Sequence, residues 1–279
     1  MKITATEKVI IYSILIVLAL WALFPFYWAF INSIKTPSQI FAKAWIPILQ
    51  FKPTLHNWEV ELRTPLVLKA MKNSSLVAII STFIAILLGT MVGFALSVFN
   101  YKGAFKNTDI YIFFLTQRIL APAVVLIPLY VIMKNLHLLD TIWALIIVNI
   151  TFNIPMAVVI MSEMFRSIPR EIVEAALVDG ASWGKIFYII GIPLAAPGLV
   201  ATAMIIFSYV WNEFLFALSF SFTKAATLPV IVAGTQQNRG IEFWYVGTRA
   251  LLVMILPVIF SLLVQRYLVK GLTFGAVKE

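Results

Sequence analysis

Between Glu163 and Pro197 the chain reads EMFRSIPREIVEAALVDGASWGKIFYIIGIPLAAP, a polar, amphipathic stretch flanked on both sides by strongly apolar sequence. It is too long and too patterned for a plain connector, and its local chemistry spells two short helices. Ser167 suits an N-cap, Pro169 a first turn, and Glu171 and Glu174 place negative charge near the positive helix terminus. The first helix is therefore expected to start near Ile168. Ile172 and Ala176 fall on one stripe, and Gly180, after Asp179, is placed to end the helix in a left-handed conformation. Ser182 can cap a second helix running through Ile186 toward Ile190. The small pair Ala175 and Ala176 lets another surface approach the backbone, and the flanking acids offer partners for arginine on that surface. Local chemistry alone leaves two readings, a docking knob or a hairpin that only joins its neighbours.

The neighbours are membrane-spanning by composition. Of 279 residues, 62% are hydrophobic and 12% charged, about half the charged share of a soluble domain, so a water-soluble fold could not supply a polar skin. Six stretches are long and apolar enough to cross about 30 Å of hydrocarbon as helices. They run approximately over residues 9–34, 74–99, 110–133, 141–162, 198–220 and 247–267. The expected fold is all-α, a single polytopic domain with loops at 35–73 and 221–246 on one face and the polar loop at 163–197 on the other. The first span is too long for a signal peptide and lacks a small-residue cleavage site after it.

An even number of spans places both termini on the face of the 163–197 loop, but charge does not say which face that is. Lys35, Lys43, Lys52, Arg63, Lys69 and Lys72 lie on the opposite side and cancel the positive-inside signal. The net charge of +9 is spread between apolar runs, unlike the one-faced basic patch of a nucleic-acid domain. Cysteine is absent, and the two histidines, His56 and His137, are far apart, so no metal site and no cysteine nucleophile is expected. No phosphate-binding glycine loop is present, so no ATPase activity and no cofactor is expected of this chain.

Residue pattern separates the two readings of the loop. Glu174-Ala175-Ala176, Asp179-Gly180-Ala181, Phe187, Ile192-Pro193-Leu194 and Pro197 resemble the EAA loop of bacterial and archaeal ABC importer permeases. Pro25, Ser33-Ile34-Lys35, Asn73-Ser74, Ile127-Pro128-Leu129-Tyr130, Trp211-Asn212-Glu213-Phe214, Leu228-Pro229 and the tail Gly271-Leu272-Thr273 extend the resemblance over most of the chain. They narrow it to carbohydrate-importer permeases, similar to the second permease of the maltose type. One departure is mild: an isoleucine, Ile192, precedes Pro193 where many relatives carry leucine.

The resemblance implies a type I importer permease fold in the cell membrane, with the 163–197 loop and both termini cytoplasmic. It implies that Glu171, Glu174, Ala175, Ala176, Asp179, Gly180 and Ala181 couple the spans to an ATPase. The implied partners are a second permease, two ATPase copies and an external binding protein delivering a disaccharide or oligosaccharide. Gln236, Gln237, Asn238 and Arg239 then become candidates for contact with the binding protein, against the plainer reading of a solvated loop.

Candidates for the solute pathway are polar groups inside apolar sequence. Glu213, in Trp211-Asn212-Glu213-Phe214, must face a cavity or a polar partner, or else lie near the outer interface. Asn149 and Asn153 share one face of the fourth span, where they either meet solute or hydrogen-bond another helix. Gln117 and Arg118 interrupt the third span, and the arginine must pair, snorkel or face water. The rival class, an ion-coupled secondary transporter, would favour inverted repeats and ionisable groups at midplane. It leaves the EAA pattern unexplained.

Overall fold

The computed structural model describes residues 4–103, 105–234, 236–237 and 240–273. Among them, five helices are long and apolar enough to cross a membrane, or six if a bent pair counts as one span. They belong to two compact units, one of Met1–Leu68 with Ile231–Leu256 and one of Lys69–Val230 with Pro257–Glu279.

In the first unit, α1 (Ala5–Ser33) opens with a capping box between Thr4 and Glu7. Its apolar side chains are exposed almost throughout, as lipid-facing residues are. The segment that follows holds a 3-10 turn at Pro37–Gln39 and a short helix, α2 (His56–Arg63). Asn57 Nδ2 donates to the carbonyl oxygens of Ser33 and Lys35, satisfying backbone acceptors where α1 ends. Lys35 is buried with its ammonium 5.3 Å from the Phe51 ring centroid, and burial lowers its pKa. Glu61 of α2 is 1% exposed and accepts two hydrogen bonds from Arg249, Nε at 2.7 Å and Nη2 at 2.9 Å.

The helix α3 (Pro65–Val98), which from Lys69 onward belongs to the second unit, starts nine residues before the expected span, because Pro65 suits a first turn. Its Gly89 and Gly93 lie one turn apart against α6 (Ile142–Arg166): a Cβ on Gly89 would collide with Ala157, and one on Gly93 would stand 2.9 Å from the Ser162 nitrogen. Small residues there let the two backbones approach.

The expected third span is two helices, α4 (Asn107–Gln117) and α5 (Pro122–Asn135), bent by 90°. Pro122 has no N–H to continue the ladder, and the polar Gln117 and Arg118 fall at the break. The expected fifth span differs as well. Apolar helix runs from Trp183 to Trp211, through α8 (Trp183–Ile186), a π segment at Phe187–Gly191 and α9 (Ile192–Trp211). Asn212 to Phe214 then interrupt it before α10 (Leu215–Phe220). The remaining elements among the described residues are the short α11 (Leu228–Ala233), a two-residue ladder of β1 (Gln236–Gln237) with β2 (Gly240–Ile241), and α12 (Phe243–Thr273).

Candidate functional site

The 163–197 loop folds as two short helices, with one shift. Helix α7 (Arg170–Val178) begins two residues later than expected, because Ser167 ends α6 and does not cap α7. Its hydroxyl donates backward to the Met164 carbonyl at 2.7 Å, and Pro169, in an extended conformation, opens the next helix. The other end follows expectation. Gly180 has φ of +77°, Ala181 N–H donates to Ala176 at 2.9 Å and Gly180 N–H to Leu177 at 3.0 Å. These are the two bonds of a Schellman cap. Ser182 then caps α8 through the Lys185 N–H.

The cap fixes which way α7 faces. Val173 and Ala176 turn inward, with Ile168 and Ala181, onto a core of Phe94, Met161, Phe165, Ile186, Phe187 and Ala195. Ala176 is therefore a packing residue, while Ala175 is exposed with Glu171, Glu174, Asp179 and Gly180. Val178 is 88% exposed, an apolar side chain left without cover in this chain. A cavity of about 620 Å³ opens beside the helix, lined by Glu174, Arg170, Leu177 and Trp183 with the end of α3 at Leu96–Asn100. Asn107 closes that end of α3 by donating to the Leu96 and Phe99 carbonyls. A packed inner face, an exposed acidic and small-residue outer face and an adjoining cavity can seat another protein's surface.

The candidates within the spans scatter. Asn149 and Asn153 are buried and each donates to the carbonyl four residues back in α6, Leu145 and Asn149 respectively. Trp211 is 2% exposed and stacked on Phe207. Glu213 does not lie inside a helix: its carboxylate accepts from the N–H groups of Phe216 at 2.7 Å and Ala217 at 3.0 Å, capping α10. Asn212 and Glu213 do line open space, a cavity of about 610 Å³ shared with Met204, Ile205, Ser208 and Tyr209. Gln236 and Gln237 pair with Ile241 and Gly240 through their backbones, while Asn238 and Arg239 lie outside the described residues.

One polar hub went unforeseen. Asp140, between α5 and α6, accepts at Oδ1 from the N–H groups of Phe222, Thr223, Lys224 and Ala225, and at Oδ2 from the Thr223 hydroxyl. Burial alone would raise its pKa, but the four N–H donors together outweigh burial and hold it well below the usual carboxylate range. Asn73 donates to the carbonyls of Lys224 and Ala226, and Ser74 accepts from the Leu228 N–H. The pair Asn73-Ser74 was legible as a motif, and this is what it does.

The model of the family described as binding-protein-dependent transport system inner membrane component matches residues 85–274, a span that includes the whole polar loop. The chain belongs to that family. Relatives of this inner membrane component align almost end to end. The trehalose transport system permease protein SugB of Mycobacterium tuberculosis is 36% identical over 92% of this chain and 93% of its own. The trehalose/maltose transport system permease protein MalG of Thermococcus litoralis is 32% identical over 94% of each. A solved bacterial ABC transporter chain, involved in import of the acidic polysaccharide alginate, superposes with a TM-score of 0.79 at 20% identity, over 96% of this chain and 99% of that one. The family places the chain in the membrane as a multi-pass component, and the likeness in structure establishes the fold.

Proposed function

We propose that this chain is one of the two permease subunits of an ATP-driven importer, forming half of the pathway for a disaccharide or oligosaccharide delivered by an external binding protein. The carrying observation is the geometry of α7. Its inner residues Val173 and Ala176 are anchored in the core, while Glu171, Glu174, Ala175 and Asp179 face outward beside a cavity. On this reading two copies of an ATPase subunit, supplied by other chains, grip that outer face and drive the spans. ATP is bound and hydrolysed by those partners, and this chain carries no reaction itself. The loop and both termini then lie in the cytoplasm, with α4 and α5 together counting as one crossing. The segment around Gln236–Arg239 is left on the outer side, where it meets the binding protein. The names of the trehalose and maltose relatives support the sugar class.

The test is co-purification of the tagged chain from a host carrying its neighbouring genes. Wild type should bring down an ATPase subunit and a second permease. Glu174→Lys should insert in the membrane yet lose the ATPase, because it sets a cation where the partner is expected to present arginine. Undiminished recovery of the ATPase with Glu174→Lys would remove the docking assignment.

A further inference from the structure

Arg118 stands at the 90° break between α4 and α5. It lies about 16 Å along α4 from Asn107 by helical rise, about half the thickness of a hydrocarbon layer. Its side chain is taken up by two neighbouring helices. Its guanidinium carbon is 5.4 Å from the centroid of the Tyr209 ring on α9, and Nη1 lies 3.4 Å from the carbonyl oxygen of Phe152, near the middle of α6. Among the described residues, ion pairs are found at Arg166–Glu163 and Arg249–Glu61, and Arg118 has no carboxylate partner. Glu213, the acid on the neighbouring cavity, is engaged by the backbone N–H groups of Phe216 and Ala217. A guanidinium carries five N–H donors in a planar fork, and the contacts found here leave most of them available.

The surroundings pair a mainly apolar wall, including Met204 and Ile205, with a few polar groups, as suits a sugar ring with an apolar face and polar edges. Tyr209 is 56% exposed with Arg118 over its ring. Ser208, Tyr209, Asn212 and Glu213 line the cavity of about 610 Å³. A charged group at this depth is expensive unless it faces water or an electron-rich partner, and the cavity beside Tyr209 supplies the space for either. We propose that Arg118, Ser208, Tyr209 and Asn212 form a water-accessible solute subsite at mid-membrane, in which Arg118 donates to oxygens of a glycoside whose ring lies against Tyr209. The subsite rests on the permease assignment above and adds Arg118, Ser208 and Tyr209 to it as specificity-determining residues.

The chain has no cysteine, so a single introduced cysteine reports cleanly when labelling is read on this chain after the subunits are separated. Ser208→Cys is introduced in the complete complex, purified in detergent, nucleotide-free and ATP-bound. It is labelled with two methanethiosulfonate reagents of similar size, one bearing a sulfonate and one a trimethylammonium group. The sulfonate stands in for the oxygen acceptors of a solute. After normalising to the rates with free cysteine, the anionic reagent should be favoured about tenfold, the scale expected for a unit charge acting within several ångströms at intermediate dielectric. Arg118→Gln on the same background should abolish that preference, and Arg118→Lys should keep it.

No labelling in either nucleotide state, or a preference unchanged by Arg118→Gln, would overturn the subsite. If Arg118→Gln does not assemble, the parent decides alone, because unbiased or cation-favoured labelling of Ser208→Cys is already a refutation. Retention of the ATPase is scored separately on the same preparation. Its failure in a complex that retains its ATPase removes the subsite and leaves the importer assignment standing.

Discussion

Replacing Asp140 by alanine removes five hydrogen bonds at once, four from consecutive backbone N–H groups and one from the Thr223 hydroxyl. A hydrogen bond to a charged group is worth about 1.5–3 kcal/mol. These five share two oxygens on a half-buried carboxylate and do not add, so the expected loss is about 2–4 kcal/mol. Asp140→Asn keeps an acceptor oxygen without the charge and should lose about half as much. The pH dependence has a definite sign. The folded pKa lies below the ordinary carboxylate value, so the contribution is complete at neutral pH. It declines as pH falls below about 5, toward the folded value. The thermal unfolding midpoint in mild detergent should therefore separate wild type from Asp140→Ala widely at pH 7 and progressively less toward pH 3. An equal gap at all pH values, or no gap at pH 7, would refute the reasoning.

Three other outcomes are expected. Removing one partner of the Glu61–Arg249 pair leaves the other charge buried and should cost about 3–5 kcal/mol, while the double change Glu61→Leu with Arg249→Met should recover most of it in the same thermal assay. Gly180→Val forces a β-branched residue into φ of +77°, at about 1–2 kcal/mol, and should loosen α7 enough to speed tryptic cleavage at Arg170 and Lys185. Gly89→Leu drives a side chain into Ala157 of α6 and should cost about 1–3 kcal/mol or more, read as loss of the monodisperse peak on size exclusion.

How much of this was legible in the sequence depended on the range of the determining interaction. Gly180 and Ser182 were legible because their roles are set within four residues, by a left-handed backbone and a capping hydroxyl. Ser167 was equally local and still ambiguous: its hydroxyl can accept from an N–H ahead or donate to a carbonyl behind, and the latter wins. Gln117 and Arg118 announced an interruption of the third span, but composition carries no angle, and the bend there is 90°. Glu213 misled because apolar residues continue on both sides of it, so hydropathy draws one span where the helix ends and a cap begins. Gly89 and Gly93, four apart in an apolar run, were a signal for close helix packing that went unused. Asp140 and Glu61 carry no local signal of their roles, since their partners lie more than 80 and 180 residues away.

The run from Trp183 to Trp211 joins the two candidate sites, and its continuity turns on Pro193. A proline at the second position of α9 cannot donate to the turn before it and would ordinarily mark a helix start. The chain instead widens into a π segment at Phe187–Gly191, which takes up the unmatched register and lets the helix pass through. Trp183, beside the cavity next to α7, and Tyr209, beside the cavity at the end of α9, are thereby carried on one helical run, about 39 Å apart by helical rise. Ile186 and Phe187 of the same run lie in the core that anchors Val173 and Ala176 of α7. On the proposed docking of an ATPase at α7, a displacement imposed there would pass to the helix bearing Tyr209 through these packed side chains, with no loop between them to absorb it.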